Sequence, residues 1–363
     1  MKARNATIDV GDIRYSRDST ARLLFATALV VVIALAFISM ATGATGISLT
    51  SLPAAISAAL GRSDNSADVT ASLVLLELRL PRTILAMFVG AALALAGSMM
   101  QGLFRNPLAD PGLVGVSSGA TLAAVCMIVL GNSVFGGWHQ ALGIFALPIA
   151  AFAGGLVATF ALMAIASRHG TTAIATLLLA GIALGALTGA ATGILAYISD
   201  DRELRDLTLW SMGSLSGSSW PKVIAIAPFA LALLVMLPSL VRALNGLLLG
   251  EAEAFHLGID IERAKKRIVI LTAAAVGAAV AVAGIIGFVG IVVPHFVRMM
   301  TGPDHRTLLP TAALLGAALV LIADIIARIV VAPAELPIGI IMAIIGAPVF
   351  LHLVLKRSNG VVM

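Results

Sequence analysis

The feature that most restricts the fold of this chain is the uninterrupted apolar segment from Thr83 to Met100. A helix on the surface of a soluble domain carries its apolar residues on one face, but here they occupy every face. Water cannot be the solvent on any side, so the segment predicts a bilayer crossing. The stretch that follows, from Arg105 to Pro111, contains two prolines, which stop helix propagation and predict a turn outside the hydrocarbon.

The composition indicates that this crossing is one of many. Of the 363 residues, 60% are hydrophobic and 11% are charged, and the mean hydropathy is +1.06. Because a soluble domain has about 25% charged residues, we predict an all-α polytopic membrane protein. The net charge of +5 does not indicate nucleic-acid binding, since the basic residues are scattered through short loops and only two residues are tyrosine. The lone Cys126 can form no intrachain disulfide.

Runs of about 20 apolar residues, separated by charges or prolines, predict ten transmembrane helices. They lie near residues 22–42, 82–104, 113–131, 140–166, 173–197, 222–244, 266–285, 287–301, 307–331 and 336–356. The first is too long for a signal peptide. The eighth is short and contains Pro294, so a re-entrant segment is the alternative there.

These crossings predict a single transmembrane domain over residues 22–356, between an N-terminal tail at 1–21 and a C-terminal tail at 357–363. An even number of crossings places both tails on the same side of the membrane. Most of the 23 lysines and arginines fall on that side, which makes it the cytoplasmic one.

A short repeat predicts how the domain is built. Residues 89–97 and 276–284 agree at seven of nine positions and fall in the second and seventh predicted crossings, which run in opposite directions. We therefore predict an inverted repeat with halves at about 82–197 and 266–356, a construction common in transporters. The glycines at every fourth position from Gly181 to Gly193 predict a close helix contact, a smooth wall beside a permeation path, or both along one helix.

The sequence lacks the motifs of an enzyme or of a motor. Neither HExxH nor CxxC occurs, and no lysine follows a glycine, so no phosphate-binding loop can be written. The crossings contain few ionisable residues, chiefly Asp324 with Arg328 one helical turn later, for which a structural ion pair is the simplest interpretation. We therefore predict a translocation subunit whose ATP is hydrolysed by another chain. An ion-coupled secondary transporter and a passive channel are the rival classes.

Several motifs together resemble the permease subunits of ABC importers for iron chelates, haem and cobalamin, over nearly the whole stretch from Leu49 to Lys356. They are Glu77-Leu78-Arg79-Leu80-Pro81-Arg82, Gln101-Gly102-Leu103-Phe104-Arg105-Asn106-Pro107-Leu108-Ala109, Gly115-Val116-Ser117-Ser118-Gly119-Ala120, Gly287-Phe288-Val289-Gly290-Ile291-Val292-Val293-Pro294-His295 and Ala334-Glu335-Leu336-Pro337-Ile338-Gly339. The resemblance implies a ten-helix subunit that pairs with a second copy of itself in the inner membrane of a Gram-negative cell. Two ATPase subunits, which bind ATP and Mg²⁺, and a periplasmic substrate-binding protein would complete the importer. It implies no cofactor and no metal on this chain.

The resemblance also assigns roles to particular residues. Arg79, Arg82 and Arg328 are similar to outer-face arginines that receive glutamates of the binding protein, a pairing that suits guanidinium. The alternative for these arginines is anchoring in the lipid headgroups. The cytoplasmic gate is assigned to Asn106, Leu108, Thr171 and Thr172.

Between residues 246 and 266 the longest cytoplasmic loop contains a predicted short helix, Leu247 to Leu257, of the kind that docks onto a partner. By resemblance it couples to the ATPase. The residues assigned to this role are Gly250, Glu251, Glu253, His256, Leu257 and Gly258. For the substrate, the stretch from Leu204 to Leu215 is most similar to haem permeases, with ferric siderophores and cobalamin as alternatives.

Overall fold

The computed structural model describes residues 10–43, 47–63, 65–131, 133–168 and 171–359. Within these ranges the protein is almost entirely helical, and one antiparallel hairpin pairs Ser167–Arg168 with Thr171–Thr172. The α-helices, numbered α1 to α15 in chain order, are Val10–Ala41, Leu52–Ala59, Ser66–Ser72, Leu80–Leu103, Val116–Leu130, Gly136–Leu142, Ala146–Ala166, Ile174–Ile198, Asp201–Ser211, Trp220–Leu249, Glu251–His256, Ile261–Ala283, Val289–Thr301, His305–Ile329 and Ile338–Asn359. Short 3₁₀ turns cover Leu49–Ser51, Pro111–Val114 and Gly143–Phe145, and Leu73–Arg79 forms π-helical turns.

Seven of the described helical segments are long and apolar enough to cross a membrane. They are Ser19–Ala41, Ser66–Leu103, Gly143–Ala166, Ile174–Ile198, Trp220–Leu249, Ile261–Ala283 and His305–Ile329. The other three predicted crossings coincide with the shorter apolar helices Val116–Leu130, Val289–Thr301 and Ile338–His352. The predicted all-α polytopic fold is thereby confirmed, and the number of ten crossings stays a prediction.

Two of the shorter helices differ from the predicted crossings for a local reason. Helix α13 has 13 residues and so spans about 20 Å, less than the hydrocarbon thickness of about 30 Å. It starts late because Gly284 and Phe288 adopt φ values of 69° and 66°, which no α-helix tolerates. Helix α5 likewise starts only after Gly115, at φ 77°. Non-helical backbone at this depth is tolerated because protein surrounds it: Gly115 and Gly284 are buried.

The second predicted crossing is longer than the sequence indicates. Its helix begins at Ser66, capped by the Asn65 side chain, and continues through the π-helical turns into α4 as one segment of 38 residues. In the π-helical turns the backbone hydrogen bonds follow a different spacing from that of an α-helix. Here the indole N–H of Trp220 donates to the carbonyl of Leu76 at 3.1 Å. This contact brings the start of α10 against the π-helical turns.

The core lies around α4 and α12. Of the 18-residue apolar stretch in each helical segment, 78% is buried within the chain in the segment that contains α4 and 72% in α12. In α8 the buried share is 11%. The glycine stripe of α8 accordingly divides in two. Gly181 packs against the carbonyl of Leu113, but Gly189 and Gly193 have no neighbouring atom within 4 Å of an added Cβ. The predicted close helix contact is therefore made only at the Gly181 end.

The helix pairing is compatible with the predicted repeat, which stays a prediction. Helix α4 packs chiefly against α14, and α12 packs against α7. Exchanging the two halves of the repeat, α4 for α12 and α7 for α14, turns one pair into the other. Glycine permits the closest approaches, since Gly90 lies against Gly316 and Gly97 lies against Gly290.

Candidate functional site

The three arginines predicted to dock a binding protein lie together around the C-terminal end of α1. A helix end leaves carbonyl groups without partners, and two of the arginines satisfy them here. Arg79 donates to the carbonyls of Met40 at 2.8 Å and Ile47 at 2.9 Å. Arg328 donates to the carbonyls of Ser39 at 3.1 Å and Thr42 at 2.9 Å. Positive charge at a helix C-terminus is also favourable for the helix dipole.

Two of these arginines, Arg82 and Arg328, form an ion-pair network with Asp324 and Glu335, which we call the outer network. The Asp324 carboxylate is fully buried and pairs with Arg82 at 2.8 Å and with Arg328 at 2.9 Å. Arg82 also pairs with Glu335 at 2.7 Å, and the Glu335 side chain is 34% exposed. The predicted Asp324–Arg328 ion pair is present, but the sequence did not reveal Arg82 and Glu335 as members.

Exposure separates the three predicted docking arginines. Arg79 is 6% exposed as a residue, and the Arg328 and Arg82 side chains are 6% and 13% exposed. The guanidinium of Arg79 is further enclosed by Gly43, where an added Cβ would collide with it. The Arg82–Glu335 pair is therefore the most exposed part of the outer network.

At the opposite end of α4, the predicted gate residues Asn106 and Leu108 form a side-chain-capped turn. Arg105 ends the helix with φ 49°, and the Asn106 side chain then accepts the N–H of Leu108 at 3.1 Å. Asp110 repeats the device by accepting the N–H of Gly112 at 2.7 Å. Asparagine and aspartate favour such turns because their short side chains reach the backbone two residues ahead.

The other predicted gate residues, Thr171 and Thr172, form one strand of the hairpin. Thr172 is buried, its hydroxyl lies 3.0 Å from that of Ser167, and its N–H donates to Glu262 at 2.9 Å. Within the described ranges, no hydrogen bond joins this hairpin to the Asn106 turn. One copy of the chain thus presents the two predicted gate elements separately.

The predicted coupling residues lie on α11 and its flanking glycines. Gly250 and Gly258 have φ values of 123° and 74°, so they turn the chain sharply into and out of a helix of six residues. Glu251, Glu253, His256 and Leu257 are exposed, while Ala254 packs inward. Phe255, which the sequence interpretation did not single out, is 69% exposed. An exposed aromatic on a short loop helix indicates a partner surface.

Two buried polar groups were not identified from the sequence. Gln101 is 2% exposed, accepts from Arg298 at 2.8 Å and donates to the carbonyl of Gly290 at 3.2 Å. Lys265 is 4% exposed and pairs with Glu251 at 2.9 Å. The signal for Gln101 was its place in an otherwise apolar helix; Lys265 carried none, since it stands in a basic run.

Comparison with known proteins identifies the family. Residues 30–356 match the model of the FecCD transport family. The haemin transport system permease protein HmuU of Yersinia pestis is 49% identical over 284 residues, which cover 78% of this chain and 84% of that protein. The cobalamin import system permease protein BtuC of Halobacterium salinarum is 45% identical over 289 residues, which cover 80% of this chain and 75% of that protein.

A solved structure shares the fold. A metal-chelate type ABC transporter in an inward-facing conformation superposes with a TM-score of 0.76 at 34% identity, over 92% of this chain and 99% of that one. The predicted family resemblance is confirmed by both the sequence and the structural match. The chain therefore belongs to the FecCD transport family and is a transmembrane permease of the ABC transporter class.

Proposed function

We propose that this chain is the permease subunit of an ATP-driven importer that passes haem from a periplasmic binding protein across the inner membrane. The observation that carries the proposal is the 49% identity to a haemin permease along 78% of the chain. The similarity of residues 204–215 to haem permeases supports the same substrate. Because the cobalamin permease is 45% identical, cobalamin is a second candidate, and ferric siderophores are a third.

The proposed complex contains two copies of this chain, two ATPase subunits and one binding protein. Most of α8 is exposed in the single chain. This exposure supports the pairing of two copies, because an exposed apolar helix needs either lipid or a second protein surface around it. ATP and Mg²⁺ would be bound by the ATPases, since no phosphate-binding loop can be written in this sequence.

Transport in proteoliposomes tests the class and the substrate together. The chain is reconstituted with its ATPase and binding protein, and uptake of haem, a ferric siderophore and cobalamin is compared on one preparation. We expect uptake of haem that requires ATP, and spectral titration of the binding protein should show haem binding. Uptake of only cobalamin or only a siderophore overturns the substrate. Uptake by the chain alone, driven by a proton or sodium gradient, overturns the class.

For docking, we propose that glutamates of the binding protein engage the outer face at Arg79, Arg82 and Arg328, with Arg82 as the first contact. An incoming carboxylate would replace Glu335 on Arg82, which has the exposure and geometry for exchange. Arg82→Glu should abolish uptake, and a matching Glu→Arg change on the binding protein should restore part of it. Arg62→Glu is the matched control, because Arg62 is an exposed arginine in the predicted outer region and lies outside the outer network.

Failure of every Glu→Arg partner to restore uptake counts against this docking proposal. Since Arg82→Glu also brings a third carboxylate beside Asp324 and Glu335, folded yield is measured by size-exclusion chromatography for each variant. Uptake is then compared per folded transporter.

For the inner side, we propose that α11 docks into a cleft of the ATPase and that the Asn106 turn and the Thr171–Thr172 hairpin form the gate. The exposed Phe255 and Leu257 support the docking surface. Phe255→Ser should reduce ATPase retained on the purified permease, whereas Ile270→Ser, at an exposed apolar site within α12, should leave retention unchanged. Equal retention for both variants contradicts the proposed docking surface.

A further inference from the structure

Lys265 is an ammonium group almost wholly removed from solvent, with a side chain 5% exposed. It lies in the second turn of α12, where its neighbours Lys266 and Arg267 are both exposed. A buried charge is stable only when it is paired and hydrogen-bonded, so its partners are fixed by a physical requirement.

Three different segments provide those partners. The Nζ of Lys265 donates to Oε2 of Glu251 at 2.9 Å, to Oε1 of Glu262 at 3.2 Å and to the carbonyl of Thr172 at 3.2 Å. Glu251 is the first residue of α11, Glu262 lies in the same helix as the lysine, and Thr172 belongs to the hairpin. One ammonium thus holds α11, α12 and the hairpin together.

The hairpin is held from two sides. The N–H of Thr172 donates to Oε2 of Glu262 at 2.9 Å, while its carbonyl accepts from Lys265. Both backbone groups of this one residue are therefore bonded to the Lys265–Glu262 pair. A displacement of the pair must carry the hairpin with it, since otherwise a buried amide, carbonyl and ammonium would lose their partners together.

We propose that Lys265 is the positioning residue that transmits movement of α11 to the Thr171–Thr172 hairpin. The proposal rests on the function proposed above, in which α11 contacts the ATPase and the hairpin belongs to the gate. Glu251 is suited to receive the movement because its side chain is 44% exposed on the surface of α11 while its carboxylate reaches the buried ammonium. The link from the ATPase side to the gate then consists of two side chains and one backbone carbonyl.

The test compares the substrate imported per ATP hydrolysed by the complete importer in proteoliposomes. Lys265→Met keeps the length of the side chain and removes the charge and the donors, so we expect this ratio to fall at least tenfold. Lys266→Met is the matched control, with the same change at an exposed neighbour, and should leave the ratio within twofold of wild type. Equal ratios for the two variants overturn the proposal.

A milder variant protects the test against misfolding. Glu251→Gln keeps the shape of the partner and removes its charge at a partly exposed site, so we expect a fall of several-fold in the same ratio. If it and Lys265→Met instead lower hydrolysis and uptake in equal proportion, Lys265 has only a structural role and the proposal is wrong. If wild type shows no ATP-dependent uptake, the function proposed above fails instead, so the two failures are distinct.

A distance measurement supplies a readout that does not depend on transport. In a Cys126→Ser background, a spin label at Arg168→Cys on the hairpin reports the separation between the two copies of the chain. ATP with vanadate should change this separation in wild type and in Lys266→Met. In Lys265→Met the hairpins should keep their resting separation when ATP and vanadate are added. If the separation in Lys265→Met changes as much as in wild type, the proposed link is wrong.

Discussion

Replacing Asp324 with asparagine removes the only carboxylate that Arg328 pairs with in the described part of the chain. The Asp324 side chain is fully buried and the Arg328 side chain is 6% exposed, so water cannot take over the lost charge. Arg328 would retain the carbonyls of Ser39 and Thr42 and the hydroxyl of Ser39, which are neutral acceptors. Breaking a buried pair by removing one partner costs about 3–5 kcal/mol, and we expect a loss of that size here.

Glu335→Gln is the matched control. It changes another carboxylate of the same network, but the Glu335 side chain is 34% exposed and Arg82 keeps Asp324 as its buried partner. Pairs at such sites contribute about 0–1 kcal/mol, so the two substitutions should differ by at least about 2 kcal/mol. Unfolding in mixed micelles with increasing SDS, followed by tryptophan fluorescence, measures both free energies.

A double variant separates lost charge pairing from lost packing. If the unpaired Arg328 is the cause, adding Arg328→Met to Asp324→Asn should recover part of the loss, because the buried charge then disappears. The reasoning is refuted if Asp324→Asn unfolds within about 1 kcal/mol of Glu335→Gln, a separation too small for a buried pair. It is also refuted if the double variant is less stable than Asp324→Asn alone.

Two further predictions concern close packing and a partly buried turn. Gly97→Ala should destabilise the protein by about 1–3 kcal/mol in the same unfolding assay, because the added Cβ meets the backbone of Gly290, whereas Gly189→Ala, with open space around it, should not destabilise. Equal effects would contradict the close approach of α4 and α13. Burial raises the pKa of Asp110 above its ordinary 3.8, although the hydrogen bond from Gly112 lowers it, so the folded chain holds this proton more tightly than the unfolded chain. Its contribution to stability is full below pH 3.8 and is lost as the pH rises through the raised pKa. Asp110→Asn should therefore gain stability relative to wild type as the pH rises above about 4 in unfolding experiments, and a difference that is constant with pH would contradict this.

The sequence alone was sufficient for the membrane class, the approximate positions of the apolar helices and the family. Apolar length is a local property, since each segment from Thr83 to Met100 onwards must suit hydrocarbon whatever its neighbours are. Turn chemistry is local as well, so the break after Arg105 and the bend at Gly258 follow from the residue types at those positions.

Only the tertiary structure decided which charges are paired and which helices are short. Arg82 and Asp324 are 242 positions apart, and Lys265 and Thr172 are 93 apart, so no periodicity connects them. The late start of α13 depends on the left-handed backbone at Phe288. The surrounding residues are ordinary apolar ones, so the sequence does not predict this backbone conformation. A run of residues specifies the solvent that surrounds a helix, but the partner of a buried charge is set by packing between distant segments, because the bare charge is unstable until they meet.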